Sequence, residues 1–309
     1  MSLDTAHQEC AGVLQCLRPA HILPLSPPIF PIEICERIID HLDPTSRNVA
    51  NRLALLACAL TCRRWYPRSR VILLEEVDIG SMTVLVGFAR MVTAKPSFGD
   101  YVRSIHISND LAKSEKWPGS RNPLTSFPTM LARKLTNLNT LHLCCMPHWD
   151  PAVHSTSTFY WALSEFTCVT SLHLRDIDFP SVNEFAHLIQ GLPNLQRLAC
   201  MGLRWTRYSL DPTVYLRSGS HNCLTHLYLD TSQTLMKDAV EFFVGSEYGA
   251  HLVDLRVGRL HVSELGPSGI GSLLQAAGTS LRDVRFNIAS VVDADLDDHG
   301  TGESKFELL

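Results

Sequence analysis

The sequence lacks the long apolar runs, the signal segment and the excess of positive charge that mark membrane, secreted and nucleic-acid-binding proteins. Its longest wholly apolar stretch covers residues 53–60, far short of the roughly 18 residues of a membrane-spanning helix. The first ten residues, MSLDTAHQEC, have neither a basic start nor an apolar centre. The formal net charge is -4, whereas general nucleic-acid binders are usually basic. We therefore expect a cytoplasmic or nuclear protein that binds neither membrane nor nucleic acid.

The ten cysteines are scattered and do not have the spacing of a disulfide framework. In a chain without a secretory signal such cysteines are expected to be reduced. Cys58 and Cys62 lie one helical turn apart, which is typical of two side chains that pack on one helix face.

Motifs of common catalytic and metal sites are also missing. The stretch GPSGIGS, residues 266–272, lacks the Lys-Ser/Thr pair of a phosphate-binding loop. The stretch HLCCMPH offers the residue types that zinc accepts, but its alternation predicts a strand and no second ligand pair lies nearby; these residues are His142, Cys144, Cys145 and His148. We expect no metal, no cofactor and no catalytic site.

Two amphipathic helices are predicted near the N-terminus. In the first, Pro31 suits the first turn, and Ile34, Ile38 and Leu42 recur every four residues on one face. The second spans residues 48–64, with one face formed by Leu53, Leu56 and Leu60. The following RVILLEEVDI is predicted to form a short helix or a strand.

From about residue 100 one apolar pattern recurs: apolar, two residues, apolar, one residue, apolar. Each copy has the alternation of a half-buried strand, and helix-like segments separate the copies. A strand and a helix at a nearly fixed period indicate a solenoid. The second apolar position of the copies falls at Ile105, Leu141, Leu172, Leu198, Leu227, Leu255 and Val284.

Residues 100–290 thus resemble leucine-rich repeats, which implies a solenoid with a parallel sheet on its concave side. That family expects Asn or Cys five residues after the second leucine. Neither occurs there in this chain, where the positions hold Asp110, Met146, Ile177, Leu203, Ser232, Leu260 and Ala289. We therefore expect an irregular solenoid, whose first turn is distorted by the polar insertion LAKSEKWPGSRNP.

The N-terminal helices resemble the F-box, whose pattern begins Leu-Pro-x-Glu and ends near Cys-Arg-x-Trp. Here Phe30 replaces the leading leucine, and the matching residues are Pro31, Glu33, Cys62, Arg63 and Trp65. F-box proteins commonly carry leucine-rich repeats after the F-box, which is the order in this chain. The resemblance implies an α/β protein with a loose leader at 1–28, a three-helix F-box-like module at 29–75, degenerate repeats at 76–290 and an acidic tail at 291–309.

The same resemblance implies a substrate receptor of an SCF-type cullin–RING ubiquitin ligase, with no enzymatic activity of its own. Its F-box would bind the adaptor subunit and, through it, the cullin, while the solenoid would bind an unknown target protein. A small helical module cannot bury all of its apolar surface. We therefore assign adaptor binding to Pro31, Ile34, Ile38, Leu56, Leu60 and Trp65.

Target binding is assigned to the polar positions of the strands. The residue between the two close apolar positions points away from the core, and neighbouring strands lie about 4.8 Å apart, so these side chains should form a column. The column contains His106, His142, His173, Ala199, Tyr228, Arg256 and Arg285. Of these, all but Ala199 are predicted to contact the target, with the arginines suited to carboxylate or phosphate.

Other interpretations of the same patterns remain open. The apolar helix residues could be the internal core of a helical cap, and the polar column could be a merely solvated face. The chain could also be an α/β enzyme with an unrecognised loop site, or an F-box scaffold that acts outside the ligase.

Overall fold

The computed structural model describes residues 31–42, 49–108, 122–146, 149, 157–207, 224–230, 233–260, 266 and 269–288. Over these ranges the chain is an α/β protein with a nine-stranded parallel sheet. The prediction of an α/β fold with a parallel sheet is confirmed. The predicted leader, the acidic tail, residues 111–121 of the polar insertion and His148 lie outside the described ranges.

The chain first forms three helices, α1 (Ile32–Asp40), α2 (Val49–Thr61) and α3 (Tyr66–Glu75). Helix α1 starts directly after Pro31, and Pro67 lies in the first turn of α3, where its missing N–H would have no partner within the helix. The second helix ends three residues earlier than predicted. The three helices share a small core of their own, built around Ile39, Leu55 and Ile72.

Strands and helices then alternate. The strands are β1 (Glu76–Ile79), β2 (Ser104–Ser108), β3 (Thr140–Met146), β4 (Ser171–Ser181), β5 (Arg197–Met201), β6 (Arg204–Arg207), β7 (His226–Asp230), β8 (Asp254–Leu260) and β9 (Asp283–Ile288). The helices are α4 (Met82–Ala94), α5 (Pro123–Leu131), α6 (Ser157–Ser164), α7 (Val182–Gln190), α8 (Gln233–Gly245) and α9 (Ile270–Ala277). Short 3₁₀ helices cover Pro96–Tyr101, Tyr248–His251 and Gly278–Ser280.

The sheet is open and its strand order follows the chain, β1-β2-β3-β4-β5-β7-β8-β9, with β6 paired to the second half of β4. All pairs are parallel, and the seven predicted apolar positions lie side by side from Ile105 to Val284. Val77 extends this row by one, so β1 is a strand that the repeat pattern did not include. RVILLEEVDI therefore forms both predicted structures, a helix up to Glu75 and then a strand.

A continuous hydrogen-bond ladder runs across the start of the strands. In each of six successive steps, one backbone carbonyl accepts bonds from two neighbouring N–H groups of the next strand; the carbonyls belong to Arg103, Asn139, Thr170, Gln196, Thr225 and Val253. These bonds pair the backbone N–H and C=O groups of the residues that lead into each strand. The ladder therefore fixes the stacking of successive repeats.

Polar side chains reinforce the ladder just before the strands. Asn137 Nδ2 donates to the carbonyl of Asp100 at 2.7 Å, and Asn194 Nδ2 donates to the carbonyl of Thr167 at 2.7 Å. Cys168 occupies the corresponding position of its own repeat, and its Sγ lies 3.7 Å from the carbonyl oxygen of Leu135 in the preceding repeat. These residues lie four positions before the second apolar residue of each repeat. Side chains of the Asn/Cys type thus bridge neighbouring repeats, but before the strand rather than after it.

Four of the seven positions where leucine-rich repeats would have Asn or Cys after the strand hold large apolar residues instead, for a physical reason. Those that are described, Met146, Ile177, Leu203 and Leu260, are fully buried in the core. Asp110, Ser232 and Ala289 lie outside the described ranges.

The main core lies on one face of the sheet only. It joins strand residues of one parity, such as Leu141 and Leu143, to the inner faces of helices α4 to α9. The strand residues of the other parity are polar for the most part and stay partly exposed. This opposite side, called the polar face below, is where the predicted target-binding column lies.

Candidate interaction surfaces

The strand register brings the predicted column together on the polar face. His106, His142, His173, Ala199, Tyr228, Arg256 and Arg285 occupy corresponding positions of seven neighbouring strands. Asp78 of β1 precedes them in the same row. The row thus joins Asp78 at one end to Arg285 at the other, although they are 207 residues apart in the sequence.

The three histidines form a stack of rings. The ring centroids of His106 and His142 lie 3.8 Å apart at 7° between planes, and those of His142 and His173 lie 4.3 Å apart at 19°. Neighbouring strands are about 4.8 Å apart, so identical rings in register are held near stacking distance by the sheet itself. Both ends of the stack have polar partners: His106 Nε2 lies 2.6 Å from Glu76 Oε1, and His173 Nε2 lies 3.1 Å from Ser171 Oγ.

The arginine end of the row is already paired with carboxylates. Arg256 donates from Nη2 to Asp254 Oδ2 at 2.9 Å, and Arg285 donates from Nη2 to Asp283 Oδ2 at 2.8 Å. The bond from Arg285 lowers the pKa of the Asp283 carboxyl and raises that of the guanidinium. A carboxylate two residues earlier on the same strand therefore balances each cation, and this end presents ion pairs rather than free positive charge.

Tyr228 lies between the histidines and the arginines along the row, separated from the former by Ala199. Its hydroxyl donates to Asp230 Oδ2 at 3.4 Å. Partial burial raises the pKa of the Tyr228 hydroxyl, and the neighbouring carboxylate of Asp230 adds to this shift. Tyr228 is therefore a neutral donor and a partly exposed ring at pH 7.

A second surface lies on α2 and is apolar. Val49, Leu53, Leu56 and Leu60 follow one another by four, three and four residues and so lie on one face of the helix. Their exposed fractions are 66%, 60%, 44% and 86%. Leu55 points into the small helical core instead. We call these four residues the α2 stripe; contiguous exposed apolar groups of this size commonly mark a protein interaction site.

The other residues assigned to adaptor binding divide into two groups. Pro31, Ile34 and Ile38 are exposed on α1, whose Cys35 and Ile39 face inward. Trp65, in contrast, is only partly exposed and packs against the helical core. This packing helps to hold the turn between α2 and α3, and the assignment of the exposed part of Trp65 to adaptor binding stays a prediction.

Two ion pairs hold the helical unit together and to the sheet. Arg68 of α3 donates from Nε to Asp40 Oδ1 of α1 at 2.5 Å, and this bond raises the pKa of the Arg68 guanidinium. Arg52 of α2 pairs with Asp78 of β1. These groups are partly exposed, so each pair contributes at most about 1 kcal/mol. The first pair joins α1 to α3, and the second joins α2 to the first strand of the sheet.

Neither a metal site nor a membrane span emerges from the described ranges. No group of three or more His, Cys, Asp or Glu side chains there is arranged to hold a metal ion. No helix there is long and apolar enough to cross a membrane. His142 and Cys144 instead lie on the polar face of β3, as the alternation of that strand predicts.

Comparison with known proteins adds no family assignment, since no protein-family model and no curated protein matches the chain. The two surfaces are therefore interpreted from their own geometry.

Sequence reasoning missed some members of both surfaces. Val49 and Leu53 belong to the α2 stripe but were not assigned to binding; their spacing from Leu56 and Leu60 is the signal that could have found them. Arg197 and Met201 flank Ala199 on the polar face of β5. Their positions, two residues on either side of Ala199, were also readable from the strand alternation.

Proposed function

We propose that this protein is the target-recognition subunit of an SCF-type cullin–RING ubiquitin ligase. In this proposal α1–α3 are an F-box-like module that binds the adaptor subunit. The strands and helices that follow are degenerate leucine-rich repeats, and their polar face binds the target protein. The observation that carries the proposal is the α2 stripe, which exposes four aliphatic side chains next to a helical core too small to cover them.

The size of the stripe decides how much binding it can support. Burying an exposed valine or leucine side chain contributes about 1.5–3 kcal/mol, so the four residues of the stripe contribute roughly 6–12 kcal/mol before the entropic cost of association, which is itself about 4–15 kcal/mol. A micromolar complex needs about 8 kcal/mol net. The stripe alone therefore does not suffice, and the exposed Ile34 and Ile38 of α1 supply the remaining apolar contact.

The polar face suits the second half of the proposal. It is a row of hydrogen-bonding and aromatic side chains that stay partly exposed, on the side of the sheet opposite the main core. Because the arginines are paired with Asp254 and Asp283, a target would meet balanced charges at that end. Recognition at that end would then rest on shape and hydrogen bonds rather than on net charge.

The proposal is tested by co-purification of the adaptor and cullin with tagged protein from cells. We expect Leu56→Asp to reduce adaptor recovery by about tenfold or more, because a charge replaces an apolar contact. Val84→Asp on α4 is the matched control, since Val84 is 45% exposed and Leu56 is 44% exposed. This control should recover the adaptor as wild type does.

Each other outcome has a defined meaning. Equal loss in both variants would attribute the effect to general destabilisation, and wild-type recovery by a folded Leu56→Asp variant would refute docking through α2. Adaptor without cullin would support the F-box scaffold outside the ligase. Absence of both from the wild-type sample would refute the proposed function.

A further inference from the structure

The last strand of the sheet has an open outer edge. Strand β9 ends the strand order, and no other described strand pairs with it on the side away from β8. In stacked strand–helix units, the last unit exposes the apolar residues that a next unit would cover. An end of this kind needs a cap or a partner.

The row of core residues opens to solvent at this edge. The six members of the row from Ile105 to Leu255 are at most 2% exposed, whereas Val284 of β9 is 39% exposed. Phe286, the next core-facing residue of β9, packs against the core but is only partly buried. Two apolar side chains therefore lie at the outer edge of the sheet. We call residues 283–286 the β9 edge.

The backbone of the β9 edge continues the ladder of the earlier strands. The carbonyl of Val253 accepts bonds from the N–H groups of Arg282 and Asp283. In a parallel strand the backbone groups of successive residues point to opposite neighbours. The N–H groups of Val284 and Phe286 and the carbonyl of Arg282 are therefore directed to the outer side. A further strand would pair with them as each earlier strand pairs with its neighbour.

Charged and apolar residues alternate along this edge. Asp283 and Arg285 lie on the polar face, on either side of Val284. A parallel strand in register would set apolar residues beside Val284 and Phe286. It would also set a basic residue beside Asp283 and an acidic residue beside Arg285, since opposite charges on neighbouring strands attract. The β9 edge thus fits the sequence basic, apolar, acidic, apolar.

The chain itself contains this sequence after β9. Residues 305–308 are Lys-Phe-Glu-Leu and lie outside the described ranges. The 16 residues 289–304 connect them to β9, and a parallel return needs about a dozen. A fully extended connection of this length reaches about 50 Å. The return along β9 from Ile288 to Asp283 covers only about 17 Å.

We infer that residues 305–308 bind the β9 edge as a further parallel strand that covers the end of the core. The amides of Lys305 and Glu307 then donate to the outward carbonyls of Arg282 and Val284. The inference does not depend on the proposed function, since neither the α2 stripe nor the histidines take part. The neighbours in this arrangement are Lys305 and Asp283, Phe306 and Val284, Glu307 and Arg285, and Leu308 and Phe286.

Amide exchange of the full-length chain, followed by mass spectrometry at residue resolution, tests the inference. A synthetic peptide with the sequence of residues 303–309 is the unpaired reference. We expect the Lys305 and Glu307 amides to exchange about tenfold or more slowly in the protein than in the peptide, because both are hydrogen-bonded. The Phe306 amide points away from β9 and should be less protected. Exchange of Lys305 and Glu307 at the rate of the peptide would overturn the inference.

Two leucine substitutions separate pairing from general destabilisation. Leu308→Asp should return the Lys305 and Glu307 amides to the rate of the peptide, because it places a charge beside Phe286. Leu296→Asp makes the same change within the connecting residues and should leave the protection as it is in wild type. Equal loss of protection in both variants would count against binding through residues 305–308.

A charge exchange tests the register, and dilution tests whether the strand belongs to the same molecule. Glu307→Arg sets two arginines side by side and should reduce the protection several-fold. Adding Arg285→Glu should restore most of it, and failure to restore it would refute the register. Protection that disappears on dilution, together with a dimer in light scattering, would assign the edge to a second copy and overturn pairing within one chain.

Discussion

At the scale of single residues, Ala199 and Cys200 show how sharply the sheet divides its two faces. Ala199 lies on the polar face, whereas its neighbour Cys200 is fully buried between Leu174 and Leu229 in register. A shift of the strand by one residue would exchange the two side chains. The burial of Cys200 is therefore a sensitive measure of whether β5 has the register described above.

Alkylation by iodoacetamide measures that burial. Burial raises the pKa of the Cys200 thiol, so the reactive thiolate is scarcer at pH 8 than in an exposed cysteine. We expect Cys62 and Cys145, which are exposed, to be labelled in the native protein while Cys200 stays unlabelled by mass spectrometry. Labelling of all three after unfolding in guanidinium is the control. Native labelling of Cys200 at the rate of Cys62 would contradict the register of β5.

At the scale of elements, three neighbouring strands bend at the same level. Cys145, Asp176 and Gly202 occupy adjacent positions and have φ values of 54°, 52° and 59°. After this bend β4 continues and pairs with β6, and Asp178 Oδ1 accepts a bond from Arg204 Nε at 2.7 Å. Only glycine adopts such φ values without strain, and the other two residues bear a cost of about 1–2 kcal/mol each.

Adding a side chain at one of these positive-φ positions and removing one at another should change the free energy of unfolding in opposite directions. Gly202→Ala should lower the free energy of unfolding by about 1–2 kcal/mol, because it adds a methyl group at positive φ and close to the Asp176 carboxylate. Cys145→Gly should leave stability unchanged or raise it by up to about 1 kcal/mol, since relief of strain exceeds the entropic cost of glycine. Urea unfolding followed by circular dichroism measures both. A stabilising Gly202→Ala would show that the strands do not bend there.

The repeat pattern predicted the register of seven strands because each copy alternates with the same phase, and a parallel sheet aligns equal phases. It did not predict β1, whose two apolar residues Val77 and Ile79 follow directly on the helical pattern of α3. Nor did it predict β6, which has no copy of the repeat. The bridging Asn137 and Asn194 were overlooked because such residues were sought after the strand, where the core requires apolar side chains.

The positions of the candidate site that follow from strand alternation were predictable from the sequence. The side-chain pairs that those residues form were not. The histidine row followed from the strand period alone. The pairing of Arg256 and Arg285 with Asp254 and Asp283 needed side-chain geometry, and so did the partial burial of Trp65. Competition between neighbouring side chains decides such contacts, and a pattern of apolar positions contains no information about it.

At the scale of the whole molecule, the described residues form two hydrophobic cores, and each core supports an exposed surface of different character. The small core supports the apolar α2 stripe, and the large core supports the polar face of the sheet. Because the surfaces belong to different cores, substitutions in one should not affect binding at the other. This separation suits a protein that holds two partners at once, which is the central claim of the proposed function.

Calorimetric titration of the purified chain with the purified SCF adaptor subunit tests this claim most directly. We predict micromolar or tighter binding to wild type, with a negative heat-capacity change because apolar surface is buried. Binding should be lost in the double variant Leu53→Asp and Leu60→Asp and kept in Val84→Asp. Undetectable binding of the adaptor to the folded wild-type chain, or equal affinity for the double variant, would contradict the account.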